Sequence, residues 1–450
     1  MRDEQARLMG YRNFAKVREE ELTMTTEKAL DFLDSMRGVL TELGQREIQS
    51  LKSAKATELG TTSVDNFFLW DRRYYVRKIQ EEKFKVNQEL LSEYFPFEQC
   101  LEKMLLVQGL LFGVEFVRYP TAFPDLIWHP DVKVYAVWDV TSEGKRDFLG
   151  YLYFDVFPRE FKYGHKGHFT LQPGFTKEDG SRHYPCAVFM GNYSPPSANR
   201  PSLLKYAEVV SCFHEIGHSL HNLLSKTKFA RFHGTAVPRD FVEVPSIMLE
   251  HVFWNKEIIR FISGRYDTDE NLPYEMIDQL IAGRFADEGL GSLTNLLLST
   301  YALKIHTQDT HEAVCNLNLA LEFNKMRKET CMMSGPEDLG LGFDAVHSFC
   351  RYRFPVGYAT SYYAYLFADA ISYDIFETKF RPLLPSGRPV ECIEDIATPE
   401  LREEFRRYRE IVLQPGGSHA SCLGALGIFL GREPNAGAWL QALRESISTF

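Results

Sequence analysis

The feature that most constrains this chain is the sequence His-Glu-Ile-Gly-His at residues 214–218, inside a segment with helical apolar periodicity at residues 204–224. Residues four apart share one face of a helix, so His214 and His218 can direct both imidazoles at one ion. This spacing suits Zn²⁺, and Glu215, one step round the helix, can address a water on the same ion. The motif alone leaves open an exposed helix with two incidental histidines.

A catalytic zinc site needs a third protein ligand, and the next strongly helical segment, at residues 240–254, offers two carboxylates. They are Glu243 and Glu250, which are seven residues apart and therefore lie on one face of a helix. In related zincins a downstream His or Glu supplies the third ligand, and a water takes the fourth position. From their spacing, both carboxylates are candidates.

The sequence around the motif resembles the zinc-binding core of the thimet oligopeptidase and neurolysin family, which also includes mitochondrial intermediate peptidase. The resemblance is carried by residues 213–254, FHEIGHSLHNLLSKTKFARFHGTAVPRDFVEVPSIMLEHVFW. Four further segments occur in the family's order: WDRRYY at 70–75, KYGHKGHFTLQPG at 162–174, GYATSYYAYL at 357–366 and LQPGGS at 413–418. The resemblance implies a zinc metallo-oligopeptidase that hydrolyses internal bonds of short peptides, with one Zn²⁺ per chain.

The same resemblance implies roles for individual residues around the metal. The family's third ligand is the Glu of a Phe-x-Glu-x-Pro-Ser run, which is Glu243 in this chain. His214, His218 and Glu243 would then bind Zn²⁺, whose charge lowers the pKa of water, and Glu215 would act as general base. Glu250 becomes a candidate to hold a ligand imidazole in its metal-binding tautomer, although a solvent-facing or helix-packing carboxylate is an equal alternative.

The family also uses tyrosines near the metal to stabilise the tetrahedral intermediate and to hold substrate. The matching positions are Tyr358 and Tyr365 for the intermediate and Tyr362 for the substrate. A neutral phenol can donate a hydrogen bond to a developing oxyanion without repelling the metal. Aromatic packing is the alternative for these side chains, and it is our interpretation of Tyr363.

Two departures from the family pattern affect the expected activity. Family members carry a His in a glycine-rich loop before the Gly-Tyr pair, whereas residues 350–358 here read CRYRFPVGY, with Arg353 at about that place. Arg353 can donate hydrogen bonds to an oxyanion or a substrate carbonyl, but it is permanently charged and close to Pro355.

The resemblance also begins at about Arg2, without the upstream helices that complete a channel wall. A zinc-retaining, peptide-binding pseudoprotease or an incomplete fragment with little turnover is therefore the alternative function.

The pattern of apolar residues predicts a mainly α fold with a small embedded β-sheet (α+β) around a zincin-type HEXXH catalytic core. Helical periodicity covers residues 27–51 and 71–94, short β-favouring runs lie between 113 and 193, and helical patterns return after Pro201. The predicted regions are 1–112, an N-terminal helical remnant of the channel wall, and 113–450, a catalytic region with its sheet in 113–193 and its helical metal-binding part in 201–450.

Charge and composition restrict the partners and the compartment. Asp plus Glu total 61 against 51 for Lys plus Arg, and the net charge of −10 argues against nucleic-acid binding. The longest apolar stretch, at residues 105–116, is too short to span a bilayer. The mixed-charge amino terminus and eight cysteines without a CxxC pair predict a cytoplasmic location. Short peptides are the expected partners, and the oligomeric state is not determined by the sequence.

Overall fold

The structure is a computed structural model of the chain, and it describes residues 1–82, 84, 87–120, 126–141, 145–284, 287–342, 358–385, 390 and 392–447. The helices are α1 (Arg2–Leu8), α2 (Phe14–Arg18), α3 (Thr26–Leu59), α4 (Asp71–Glu82), α5 (Gln88–Ser92), α6 (Phe97–Phe112), α7 (Tyr206–Leu224), α8 (Val244–Phe253), α9 (Lys256–Ile262), α10 (Tyr274–Gly283), α11 (Glu288–His306), α12 (His311–Asn316), α13 (Leu319–Cys331), α14 (Ala364–Ile375), α15 (Ile393–Ile396), α16 (Pro399–Tyr408), α17 (Cys422–Leu430) and α18 (Gly437–Ile447). The strands are β1 (Val114–Arg118), β2 (Lys133–Asp139), β3 (Asp147–Asp155), β4 (Gly167–Gln172), β5 (Phe175–Thr176), β6 (Arg182–His183) and β7 (Cys186–Met190).

This architecture confirms the predicted mainly helical fold with one small sheet. The sheet has the strand order β1-β2-β3-β7-β4, in which only the β3–β7 pair is parallel. Strand β4 is therefore an edge strand, and it lies next to α7, which packs against β3, β7 and β4. Strands β5 and β6 form a separate two-stranded pair. The sequence patterns located β2, β3, β4 and β7 but missed β1, because its residues continue the apolar run of α6.

The long helix α3 is joined to the rest of the molecule through α11. Glu47 of α3 is 1% exposed and accepts hydrogen bonds from the backbone N–H groups of Gly289 (2.8 Å) and Leu290 (2.7 Å) in the first turn of α11. Burial raises the pKa of the Glu47 carboxyl to about 7. The two helices approach closely here, since a Cβ on Gly289 would lie 2.9 Å from the backbone nitrogen of Gly44. The N-terminal helices therefore share one core with the helices that follow the sheet.

The predicted single helix over residues 71–94 is wrong, because the structure ends α4 at Glu82 and begins α5 at Gln88. The side chain of Asn87 accepts hydrogen bonds from the backbone N–H groups of Glu89 and Leu90, which starts a new helix. The apolar pattern continues across this break and gives no sign of it. Among the described helices, none is long and apolar enough to cross a membrane.

A buried ion pair ties the carboxy-terminal helices to the sheet. Arg409 begins a π-helical turn after α16 and is 2% exposed. Its guanidinium pairs with Asp139 at the end of β2, and it donates a hydrogen bond of 2.9 Å to the carbonyl oxygen of Phe112 at the end of α6. Loss of the guanidinium would leave a buried carboxylate without its principal partner.

We expect Arg409→Met to lower the free energy of unfolding by about 3–5 kcal/mol, because it uncouples a buried charge. Arg406→Met is the matched control, since the pairs of Arg406 with Glu403 and Glu410 are exposed and should contribute less than about 1 kcal/mol. Urea denaturation followed by tryptophan fluorescence compares the two variants. Equal midpoint shifts would show that the buried pair contributes no more than a surface pair.

Candidate metal centre

Helix α7 carries the His-Glu-Ile-Gly-His sequence close to its middle. It begins after Lys205, whose backbone N–H donates to the Glu208 carboxylate at 2.8 Å, and the side chains of Phe213, Ile216 and Leu220 are fully buried on its core face. His214, His218 and Glu215 lie on the remaining part of the helix surface. The apolar residues that predicted this helix thus occupy one face of it, and the polar residues of the motif occupy another.

Helix α8 packs directly on α7 at Gly217. A Cβ at this position would lie 3.1 Å from Ser246 Cα and 3.1 Å from Leu249 Cδ1, so a larger residue would require α8 to shift by a few tenths of an ångström. The predicted helix over residues 240–254 is shorter in the structure and begins at Val244. Glu243 is its N-cap residue, and the close helix approach places its carboxylate against the two histidines.

The turn before Glu243 is held by the buried side chain of Asp240. Its carboxylate accepts hydrogen bonds from the backbone N–H groups of Thr23 (2.9 Å) and Met24 (3.2 Å) and from the Tyr363 hydroxyl (2.7 Å). The N-terminal segment and the tyrosine-rich segment therefore meet at this turn. Tyr363 is 1% exposed and serves packing here, as its position in the sequence suggested.

Three potential ligand atoms converge on one point. His214 Nε2 and His218 Nε2 lie 3.1 Å apart, and Glu243 Oε2 lies 3.2 Å from the first and 3.1 Å from the second. Ligand atoms in a tetrahedral zinc site, with metal bonds of about 2.0–2.1 Å, are about 3.3 Å apart. The donor set and its spacing therefore fit a zinc ion with one open coordination position. In the described part of the chain, no other group of three such residues has this proximity.

Glu250 completes the environment of His214. Its Oε1 lies 2.7 Å from His214 Nδ1, an arrangement that would keep the proton on Nδ1 and leave the Nε2 lone pair to a bound metal. Burial by itself lowers the pKa of His214, but hydrogen bonds to Glu243 and Glu250 raise it well above the usual value. The electrostatic environment thus favours positive charge at this position.

The three groups line a cavity of about 660 Å³. Gly167 and His168 of the edge strand β4 line the same cavity, and so does Glu215, which is 7% exposed. His168 Nδ1 is 3.1 Å from Ser219 Oγ, and His168 is not part of the convergent group. A neighbouring cavity of about 670 Å³ shares Glu250 with this one and extends towards α10 and α11.

The predicted tyrosines occupy two different environments. Tyr358 and Tyr365 line the cavity with their rings stacked at 5.5 Å, whereas Tyr362 is 1% exposed and packs behind them, 5.3 Å from the ring of Tyr365. Burial and the neighbouring Tyr358 raise the pKa of the Tyr365 hydroxyl, which keeps it protonated and able to donate. Arg353 lies in residues 343–357, outside the described residues.

Two residues with acidic or basic side chains that line the cavity were missed by sequence reasoning. Asp369 lies one helical turn after Tyr365, and this four-residue spacing is a signal that could have found it. Burial, with the nearby Glu288 and Glu250, raises the pKa of Asp369 well above its usual value. Lys166, which precedes β4, also lines the cavity, but no sequence pattern indicates which strand forms the edge.

Comparison with known proteins identifies the class of the chain as peptidase. It belongs to peptidase family M3, which it matches over residues 1–445, and this confirms the resemblance drawn from the motifs. It is 34% identical over 448 residues to saccharolysin of Saccharomyces cerevisiae, a match covering 98% of this chain and 60% of saccharolysin. A thimet-like oligopeptidase of Dictyostelium discoideum is 30% identical over 452 residues, covering 98% of this chain and 63% of that protein.

The fold has a counterpart among solved structures. PZ peptidase A with an inhibitor superposes with a TM-score of 0.53 at 10% identity, covering 100% of this chain and 63% of that one. This likeness supports the mainly helical architecture with its small sheet. The chain thus spans about 60% of the length of the curated relatives and of this structural counterpart.

Loss of Glu250 should weaken zinc binding without removing a ligand. We expect Glu250→Gln to raise the zinc dissociation constant by about 10- to 100-fold, because the imidazole of His214 loses the carboxylate that holds its proton on Nδ1. Glu243→Gln should weaken binding further, since it replaces a charged ligand. Competition with a chromophoric chelator measures both, with Glu275→Gln on the exposed face of α10 as control. An unchanged zinc affinity in Glu250→Gln would contradict this role.

Proposed function

We propose that this chain is a zinc metallo-oligopeptidase that hydrolyses internal bonds of short peptides. The single observation that carries the proposal is the convergence of His214, His218 and Glu243 at 3.1–3.2 Å beside Glu215 in an open cavity. Membership of family M3 supports the same reaction class. Because the chain spans about 60% of the length of its relatives, the activity is inferred from the site and not from their names.

The metal would be held by the two histidines and Glu243, one ion per chain. Bound there, Zn²⁺ supplies the Lewis acidity that acidifies water and polarises a carbonyl oxygen. Glu250 keeps the proton of His214 on Nδ1 and so directs the lone pair of Nε2 to the metal position. Three protein ligands leave one position open, which favours a catalytic over a purely structural ion.

Glu215 is the candidate general base. It follows a ligand histidine directly in the sequence and lines the same cavity, so its carboxylate can reach a water beside the ligand atoms. In the first step it takes a proton from the attacking water, and in the second it returns that proton to the leaving amine. Without this transfer, the amine would have to leave as an unstable anion.

Tyr358 and Tyr365 are the candidate donors to the oxyanion. Both line the cavity, and the raised pKa of Tyr365 means that its hydroxyl retains a proton to donate at neutral pH. A donor that is preorganised for developing charge lowers the barrier of acyl transfer. Tyr362 is deeper, and its predicted contact with the substrate stays a prediction, as does any contribution of Arg353.

The edge strand β4 is the candidate platform for the peptide backbone. An edge strand presents unpaired N–H and C=O groups that can pair with an extended peptide of any sequence. Two residues of β4, Gly167 and His168, line the same cavity as the candidate metal ligands and Glu215, so a peptide paired with this strand would lie close to Glu215. We expect unstructured short peptides as partners in the cytoplasm, and we expect neither nucleic acid nor membrane among them.

Glu215→Gln tests the general base directly. We expect hydrolysis of an internally quenched peptide of about ten residues to fall by 10²- to 10⁴-fold, because the amide cannot accept the proton. Glu208→Gln on the same helix is the isosteric control and should keep its activity. Both proteins are compared at matched zinc content.

The possible outcomes of this assay separate the two functions considered. Activity that survives in Glu215→Gln would remove the general-base role of this residue. Zinc-loaded wild-type protein that binds peptides without cleaving them would instead support a peptide-binding pseudoprotease.

Tyr365→Phe tests the oxyanion donor. We expect kcat to fall by about 10²-fold with KM nearly unchanged, because the hydrogen bond forms chiefly in the transition state. Tyr373→Phe, on the same helix but outside the metal cavity, is the control. A rise in KM at constant kcat would show that the hydroxyl of Tyr365 binds substrate instead.

A further inference from the structure

Alternate side chains from the start of β4 onward contact α7 at positions that advance along the helix. Lys166 Nζ donates to Ser211 Oγ, His168 Nδ1 lies 3.1 Å from Ser219 Oγ, and Asn222 Nδ2 donates to Thr170 Oγ1 at 2.7 Å. Residue numbers increase together on the two elements, so β4 runs alongside α7 in the same direction. The amino-terminal end of the strand therefore lies beside the amino-terminal half of the helix, before His214.

Lys166 differs in charge from the other groups that line the metal cavity. Four carboxyl groups line it, those of Glu215, Glu243, Glu250 and Asp369, whereas Lys166 is the one Lys or Arg among the described lining residues. Among the described residues, its hydrogen-bond partner is the hydroxyl of Ser211, which is neutral. An ammonium group has three donors, so two stay available to a ligand. The amino-terminal end of β4 is thus a cationic position beside an otherwise acidic cleft.

We propose that Lys166 binds a carboxylate of the peptide substrate on the carboxyl-terminal side of the scissile bond, an inference that rests on the proposed peptidase function. An extended peptide that adds to an edge strand in the more stable antiparallel sense runs opposite to β4. Its later residues then lie at the start of the strand, where Lys166 is located. The lysine therefore selects substrates whose departing half carries negative charge.

Two sources can supply this carboxylate, and both present the same chemistry to the ammonium group. One is the free carboxyl terminus of a short peptide, and the other is an Asp or Glu side chain after the cleaved bond. Since Lys166 is exposed, solvent screens the contact, and we expect a three- to tenfold effect on affinity. A free carboxyl terminus would restrict cleavage to bonds near the end of the peptide, whereas an acidic side chain would not.

The experiment measures peptide binding separately from turnover. Zinc-loaded Glu215→Gln protein is titrated with fluorescent peptides of one sequence that end in a free acid or an amide, or that carry Glu in the first or second half. Cleavage products of the wild type, read by mass spectrometry, locate the bond. We expect the free acid or the second-half Glu to bind three- to tenfold tighter, and Lys166→Met to abolish this difference.

Controls and kinetics distinguish recognition from structural damage. Lys177→Met changes an exposed lysine between β5 and β6 and should leave the preference intact, while Lys166→Arg should retain it. In the wild-type background, Lys166→Met should raise KM for the acidic peptide at nearly constant kcat. The proposal is overturned if Lys166→Met still prefers the acidic peptide, or if the wild type prefers Glu in the first half of the peptide.

The same measurements separate this proposal from the proposed function. Binding that depends on Lys166 in a protein without turnover would refute the peptidase function while preserving carboxylate recognition. Hydrolysis with no dependence on Lys166 would support the peptidase function and refute carboxylate recognition by Lys166.

Discussion

The close approach of α7 and α8 at Gly217 is the constraint on which the candidate site depends. A Cβ at Gly217 would lie 3.1 Å from Ser246 Cα and 3.1 Å from Leu249 Cδ1, closer than ordinary van der Waals contact. This approach brings the N-cap residue of α8, Glu243, within 3.2 Å of both histidines on α7. A wider helix separation would leave the two imidazoles with no third ligand, and the spacing of His214 and His218 would have no chemical consequence.

The electrostatics of the cavity follow from that contact. Glu243 and Glu250 flank the imidazole of His214, and Asp369 is buried nearby with its pKa raised. So many acidic groups in one partly buried place are unfavourable unless a cation compensates them. A metal ion at the convergent ligand atoms would supply that compensation. The arrangement therefore resembles a site prepared for a divalent cation more than a structural ion-pair network.

Parts of the chain far from the motif hold this geometry in place. Asp240 binds the backbone at Thr23 and Met24 and the hydroxyl of Tyr363, so the N-terminal segment supports the turn that leads into Glu243. Glu47 in turn connects α3 to the first turn of α11. These buried carboxylates accept several hydrogen bonds each, and they join segments more than 200 residues apart in sequence. The helices before residue 113 thus contribute to the site although they carry none of its predicted residues.

The sequence by itself determined most of the helices and strands, the pair of histidines on α7 and, through the family motifs, Glu243 as the candidate third ligand, because periodicity and short motifs are local properties. It failed at the break between α4 and α5, where the cap made by Asn87 interrupts a continuous apolar pattern. Only the tertiary structure decided that β4 is the edge strand, that Lys166 and Asp369 line the cavity, and that Tyr362 lies behind Tyr358 and Tyr365. These properties depend on which helices and strands pack against each other. Such packing joins residues that are far apart in the sequence, and no local sequence pattern indicates their contact.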